Sequence, residues 1–103
     1  MKTESQTLEL AQTILDQIKF GDRYALGAWG ATHFAAISES QEFQGGLTFQ
    51  IKALKLTGWV KICLRWLDDY TILFIDENRE VVKTCEGVYC DQLVEVIDWI
   101  EGR

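Results

Sequence analysis

The side chains best suited to chemistry in this chain are one histidine and three cysteines. The histidine is His33, and the thiols are Cys63, Cys85 and Cys90. A nucleophilic cysteine needs a base within hydrogen-bond reach, and no sequence signature of that kind surrounds any of the three. The four residues also lack the compact spacing of a zinc site. We therefore expect no catalytic residue, no metal ligand and no cofactor.

Cys90 is the thiol whose position most favours reactivity. It falls in the first turn of a predicted helix, where the helix dipole stabilises a thiolate. Glu86 and Asp91 lie close to it in the sequence and oppose that effect. Free cysteine more often serves as a small buried hydrophobe, so we expect three reduced and unreactive thiols.

Carboxylates are the second group of candidates, and their distribution is uneven. The net charge is −6, from 16 acids and 10 bases. Residues 67–101 contain ten of the acids and only two bases, Arg79 and Lys83. Such a surface repels nucleic acid and anionic membranes. We expect neither as a direct partner, and we expect a partner protein with a basic surface.

The predicted binding surface combines these acids with nearby tryptophans. Asp91, Glu95 and Asp98 are spaced by four and three residues, which places them in a row on one side of a helix. Carboxylates in turns extend the row, and aromatic side chains anchor it. The candidate protein-binding residues are Asp68, Asp69, Asp76, Glu77, Asp91, Glu95, Asp98, Trp59 and Trp99. The alternatives are acids that serve only solubility and tryptophans that the fold covers.

Two amphipathic helices flank the elements that position these residues. Thr3 and Gln6 form a capping box, and apolar residues then recur at helical spacing, which predicts a helix over residues 4–20. An apolar stripe that includes Tyr89 and Ile100 predicts a second helix over residues 88–100.

Alternation of apolar and polar residues predicts the strands between the helices. Residues 47–53 and 60–66 alternate strictly, and the parity of the second segment places Trp66 in the core and Trp59 on the other face. Residues 70–75 are almost wholly apolar and predict a central strand.

Glycines and turn residues predict the remaining connections. The glycine-punctuated residues 24–31 fit a strand with close backbone contacts, followed by a short strand over 33–38. Gly45 and Gly46 are typical of a hairpin turn. Asn78 is suited to a positive φ in the turn that precedes a strand over 80–84.

The order of these elements predicts an α+β protein. We expect one domain over residues 1–103, with a helix, an antiparallel sheet of about five strands and a second helix. Short polar turns favour the antiparallel arrangement. Two helices with one apolar stripe each suffice to cover one sheet face, so we place both helices on the same face.

The start of the second predicted helix resembles a known signature. The chain reads Glu86-Gly87-Val88-Tyr89-Cys90-Asp91-Gln92-Leu93 there. This segment is similar to the Glu-Gly-Val-Tyr-x-Asp-Gln-Leu signature of a family of small uncharacterised bacteriophage and prophage proteins. Gly46-Leu47-Thr48-Phe49 resembles that family's Gly-Leu-Ser-Phe strand, whereas Phe20-Gly21-Asp22 stands where the family usually has Gly-Gly. The resemblance implies a phage or mobile-element origin and a helix–sheet–helix fold, and it implies no biochemical activity.

These observations predict a small acidic binding module that is not an enzyme. We expect it to occupy a basic, nucleic-acid-binding surface of a host defence protein, and a self-associating structural protein is the alternative. The polar residues 1–5 predict no signal peptide, and the lack of a long apolar run predicts no membrane span. Unpaired cysteines then favour the cytoplasm of a bacterial host cell.

Overall fold

Five strands form a single antiparallel sheet in the computed structural model, which describes residues 3–101. Each strand pairs with its neighbours in the chain, so the order across the sheet is the order of the sequence. The strands are β1 (Thr32–Ile37), β2 (Phe43–Lys52), β3 (Thr57–Arg65), β4 (Tyr70–Asp76) and β5 (Val81–Val88). Helical segments precede and follow this meander, which confirms the predicted α+β class and the five strands.

The first helix, α1 (Glu4–Gly21), forms where the capping box and the apolar spacing predict it. The Thr3 hydroxyl accepts a hydrogen bond from the Gln6 amide at 3.1 Å, and the Gln6 side-chain oxygen accepts one from the Thr3 amide at 3.0 Å. These bonds satisfy two amides that a helix start leaves free. Ile14 and Ile18 are fully buried, so α1 packs one apolar face on the sheet.

One face of the sheet forms the core with both helical segments. Its largest buried residues on the strands are Phe49, Ile51, Val60, Ile62, Ile72 and Phe74. The helices contribute Ile14, Ile18, Leu93, Ile97 and Ile100 to the same cluster. Both helical segments therefore lie on one face, as predicted, and no helix within residues 3–101 lies over the other face.

The second predicted helix consists of three short pieces. We call residues 90–101 the C-terminal helical segment; it contains a 3-10 turn (Cys90–Gln92), the helix α3 (Leu93–Ile97) and a second 3-10 turn (Asp98–Glu101). The predicted start at residue 88 is wrong because the strand β5 continues to that point and pairs with β4. Tyr89 is 57% exposed and does not join the apolar stripe. No helix among residues 3–101 is long and apolar enough to cross a bilayer.

The glycine-punctuated stretch before β1 is not a strand. It forms one helical turn, α2 (Ala25–Ala28), and then a bend at Gly30, where φ is +63°. Trp29 is fully buried, and its carbonyl accepts a hydrogen bond from the Lys52 amide at 3.0 Å. Helical spacing places Ala25 and Trp29 on one side, so this stretch closes the core instead of pairing with a strand.

Two predicted turn positions are also wrong. Gly45 and Gly46 lie inside β2, where Gly46 passes so close to the Ile62 carbonyl that a side chain would overlap it. The glycine pair therefore permits close strand contact rather than a turn. In the β4–β5 turn the positive φ, +67°, belongs to Arg79 and not to Asn78.

Candidate protein-binding site

The acids predicted to form one continuous surface lie at opposite ends of the sheet. Asp68 and Asp69 are in the β3–β4 turn, whereas Glu77 lies in the β4–β5 turn. The seven residues of β4 separate these turns, which at 3.3 Å per residue amounts to about 20 Å. The structure does not bring the two turns together.

Three of these carboxylates bond to neighbouring residues: Asp69 and Asp76 bond within their own turns, and Asp68 bonds to the strand β2. Asp69 pairs with the Arg65 guanidinium at 3.1 Å. Asp68, at a φ of +67°, accepts a hydrogen bond from the Gln44 side-chain amide at 2.9 Å. One Asp76 oxygen accepts hydrogen bonds from two backbone amides of the β4–β5 turn, at 2.9 and 3.0 Å. Aspartate commonly has this role in turns.

The three acids of the predicted row on the C-terminal helical segment differ in their exposure to solvent. Asp91 and Glu95 are exposed. Asp98 is half-buried, and its carboxylate accepts a hydrogen bond from the indole Nε1 of Trp29 at 2.8 Å. Asp98 thus joins the C-terminal helical segment to the buried Trp29, whereas Asp91 and Glu95 remain exposed.

The candidate tryptophans are both half-buried and lie on different faces of the sheet. Trp59 is on the open face, as its parity predicts, and the Arg79 guanidinium lies 5.0 Å from its ring centroid. Trp99 packs edge-on against Phe74 with 5.2 Å between centroids. Two lysine ammonium groups lie 4.6 and 5.1 Å from the Trp99 centroid. The fold therefore gives neither indole a freely exposed ring.

Trp66 is in solvent, and its prediction as a core residue is wrong. It is 51% exposed, and its indole donates a hydrogen bond to the Gln41 carbonyl at 3.0 Å. The alternating pattern extends one residue beyond the strand, because β3 ends at Arg65. The side chain after a strand end no longer follows the parity of the strand.

The thiols and the histidine are dispersed. Cys63 is buried, Cys85 is half-buried and Cys90 is exposed. Burial raises the pKa of the Cys63 thiol, and the nearby Lys61 ammonium partly offsets that rise. His33 is exposed on the edge strand β1, with Nδ1 3.0 Å from a threonine hydroxyl. Within residues 3–101 no three His, Cys, Asp or Glu side chains converge in a way that would hold a metal ion.

The clearest concave site lies between the C-terminal half of α1 and the C-terminal helical segment. This groove has a volume of about 580 Å³. It is lined by Thr13, Asp16, Gln17, Phe20, Gly21, Cys90, Asp91 and Val94, a set with two acids and no base. Gly21 brings the two elements together, because a Cβ there would lie 3.0 Å from a Val94 methyl group.

Hydrogen bonds position the polar side chains of the groove. The Tyr70 hydroxyl donates to the Gln17 side-chain oxygen at 2.7 Å. Burial raises the pKa of Tyr70, and the negative charge of the Cys90 thiolate adds to the rise. Asp16 accepts a hydrogen bond from the Gln12 amide at 2.8 Å. The groove is therefore anchored to the sheet through Tyr70.

Phe20 is the functional candidate that the sequence reasoning missed. Its side chain is 96% exposed at the edge of the groove. A signal was available in the helical pattern, because Phe20 follows Ile18 by two residues and so points about 200° away from the buried stripe. An aromatic residue on the polar side of an amphipathic helix is exposed because that side faces solvent.

No protein-family model, curated protein or solved structure matches this chain.

Proposed function

We propose that this chain is a non-enzymatic binding module that holds a basic segment of a partner protein in the groove. The observation that carries the proposal is Phe20, a fully exposed aromatic side chain beside a groove with an acidic rim. Burying such a side chain is worth about 1.5–3 kcal/mol. A partner that covers Phe20 gains this energy, which the free protein forgoes.

The charge of the surrounding layer supports a basic partner. We call α1 together with residues 90–101 the helix layer. It contains seven acids and one lysine, a net charge of −6, whereas the five strands contain four bases and two acids. The excess negative charge of the protein is therefore on the side that holds the groove. Opposite charges across an interface raise the association rate and select the partner.

The setting for this activity comes from the phage resemblance. In a bacterial host cell, basic protein surfaces commonly bind nucleic acid, and a carboxylate-rimmed groove with an apolar anchor competes for the same surface. Inhibition of a host defence protein is the role that we propose. In this role the chain binds neither nucleic acid nor a membrane directly.

The test is affinity capture from bacterial lysate, followed by binding kinetics with the captured partner. Asp91→Lys should slow association about tenfold, because it reverses a charge at the rim of the groove. Phe20→Ser should speed dissociation about tenfold or more, because it removes the apolar anchor.

Glu77→Lys is the matched control for Asp91→Lys. It makes the same change in net charge at an exposed position in the β4–β5 turn, at the opposite end of β4 from Tyr70 and the groove. It should leave both rates close to those of the parent protein. Equal binding by Phe20→Ser, Asp91→Lys and Glu77→Lys would show that the groove is not the site.

A further inference from the structure

The open face of the sheet presents a second concave site. Thr48, Trp59, Lys61, Ile75 and Arg79 surround a hollow of about 300 Å³. Trp59 and Ile75 are register partners on β3 and β4, and both are half-buried although none of the described helices covers them. Lys61 is exposed at the middle of β3. The site combines an apolar centre with a cationic rim, which is the reverse of the charge at the groove.

The edges of the sheet are less suited to association than this face. The pairing of β1 with β2 is irregular beside His33, where φ is +55°, and the pairing of β4 with β5 shifts register twice. Such irregularities interrupt the regular ladder that an added strand needs. Association is therefore expected through side chains of the open face.

We infer that the open face docks the helix layer of a second copy of this chain, so that copies associate head to tail. Lys61 and Arg79 give the hollow on the open face a positive rim, and the helix layer has six more acids than bases. Two open faces in contact would bring Lys61 and Arg79 toward the same residues of the other copy. Two helix layers in contact would likewise oppose acids to acids. Only the contact between unlike layers joins opposite charges.

The dimensions of the molecule permit this contact. The molecule measures 38 × 29 × 24 Å, so either layer is wide enough for the roughly 800 Å² per partner of a stable interface. At 0.15 M ionic strength the Debye length is about 8 Å. The charges that face each other therefore outweigh the net charge on the far sides. Because the two surfaces lie on opposite faces, a copy can use both, and the assembly does not close.

The inference rests on the proposed function in one respect, since a second copy and a basic partner would use the same helix layer. A partner that occupies the groove should then dissociate the assembly. The open face takes no part in binding that partner.

The decisive experiment is sedimentation velocity at 0.15 M ionic strength, over a wide range of concentration. The parent protein should form species that grow beyond the dimer as concentration rises. Lys61→Glu disables the open face, and Glu95→Lys disables the helix layer. Each variant alone should therefore associate at least about tenfold more weakly than the parent protein. Each variant retains one intact surface, so an equimolar mixture should recover association, because the intact open face of one variant can dock the intact helix layer of the other.

Lys19→Glu is the matched control for Lys61→Glu. It makes the same change in net charge, but on the exposed side of α1, and it should associate at least as well as the parent. All three substituted residues are exposed, and circular dichroism confirms the fold of each variant. A parent protein that stays monomeric, a Lys61→Glu variant that assembles normally, or a monomeric mixture would each overturn the inference. Partner capture that depends on Phe20 and survives Lys61→Glu would still support the proposed function.

Discussion

Replacing Trp29 by phenylalanine should destabilise the protein by breaking the hydrogen bond that joins this buried side chain to the C-terminal helical segment. The indole Nε1 donates to the Asp98 carboxylate at 2.8 Å, which is the short distance typical of a charge-assisted bond. Such bonds contribute about 1.5–3 kcal/mol to stability. The smaller ring adds about 1 kcal/mol for imperfect filling of a fully buried site. We expect the free energy of unfolding to fall by about 2.5–4 kcal/mol.

Substitutions of Asp98, the acceptor in this hydrogen bond, should also lower the free energy of unfolding. Asp98→Asn keeps an acceptor oxygen and should cost about 1 kcal/mol, because the bond loses its charge. Asp98→Lys places an ammonium group against the indole N–H and should cost at least as much as Trp29→Phe. A test of surface charge should for this reason reverse Glu95, which is exposed, and leave Asp98 intact.

Urea unfolding followed by far-ultraviolet circular dichroism measures these changes without relying on the substituted tryptophan. Glu95→Gln is the control on the same segment and should change stability by less than about 0.5 kcal/mol. The double variant Trp29→Phe with Asp98→Asn should lose less than the sum of the single losses, because both substitutions act on the same bond. Additive losses, or single losses no larger than that of Glu95→Gln, would refute the assignment of this bond.

Three further predictions follow from burial and close contacts. Gly46→Ala should destabilise by about 3 kcal/mol or more in urea unfolding, since backbone of the next strand blocks its Cβ, whereas Gly27→Ala in α2 should stabilise by about 0.5–1 kcal/mol because its Cβ meets open space. With a thiol reagent at neutral pH, Cys90 should react first, and Cys63 should react only as the protein unfolds, because burial raises its pKa. The free energy of unfolding should fall as pH rises above about 10, because burial raises the pKa of Tyr70 and the unfolded state therefore loses that proton first. Tyr70→Phe should cost about 0.5–1.5 kcal/mol at neutral pH. In urea titrations this variant should lose less stability than the parent protein at alkaline pH.

The sheet was predictable because its central strands have one covered and one open face. In β2 and β3 this difference produces strict alternation, which places Phe49 and Val60 in the core and Lys61 in solvent. The capping box at Thr3 likewise located α1 to within a residue. These patterns are local, and local physics determines them.

The errors arose where one residue type serves two structures. A glycine pair suits a turn or a close strand contact, and only the Ile62 carbonyl, sixteen residues from Gly46, distinguishes them. Alternation that extends past a strand end placed Trp66 in the core. The groove was beyond reach for a different reason: it forms only when the end of α1 meets Asp91, some seventy residues later in the chain. No local sequence pattern predicts this long-range contact.

The strand order has a consequence for the chain during its synthesis. Because each strand pairs with the next one to emerge, hairpins can form in succession as the ribosome releases them, and sheets with such local pairing form rapidly. The Trp29 indole, by contrast, waits for a carboxylate 69 residues later. At about 5–20 residues per second, translation takes about 3–14 s to cover that interval. Until residues 90–101 leave the tunnel, α1 covers only part of the core face of the sheet, and the part that those residues cover in the folded protein is open to aggregation and proteolysis.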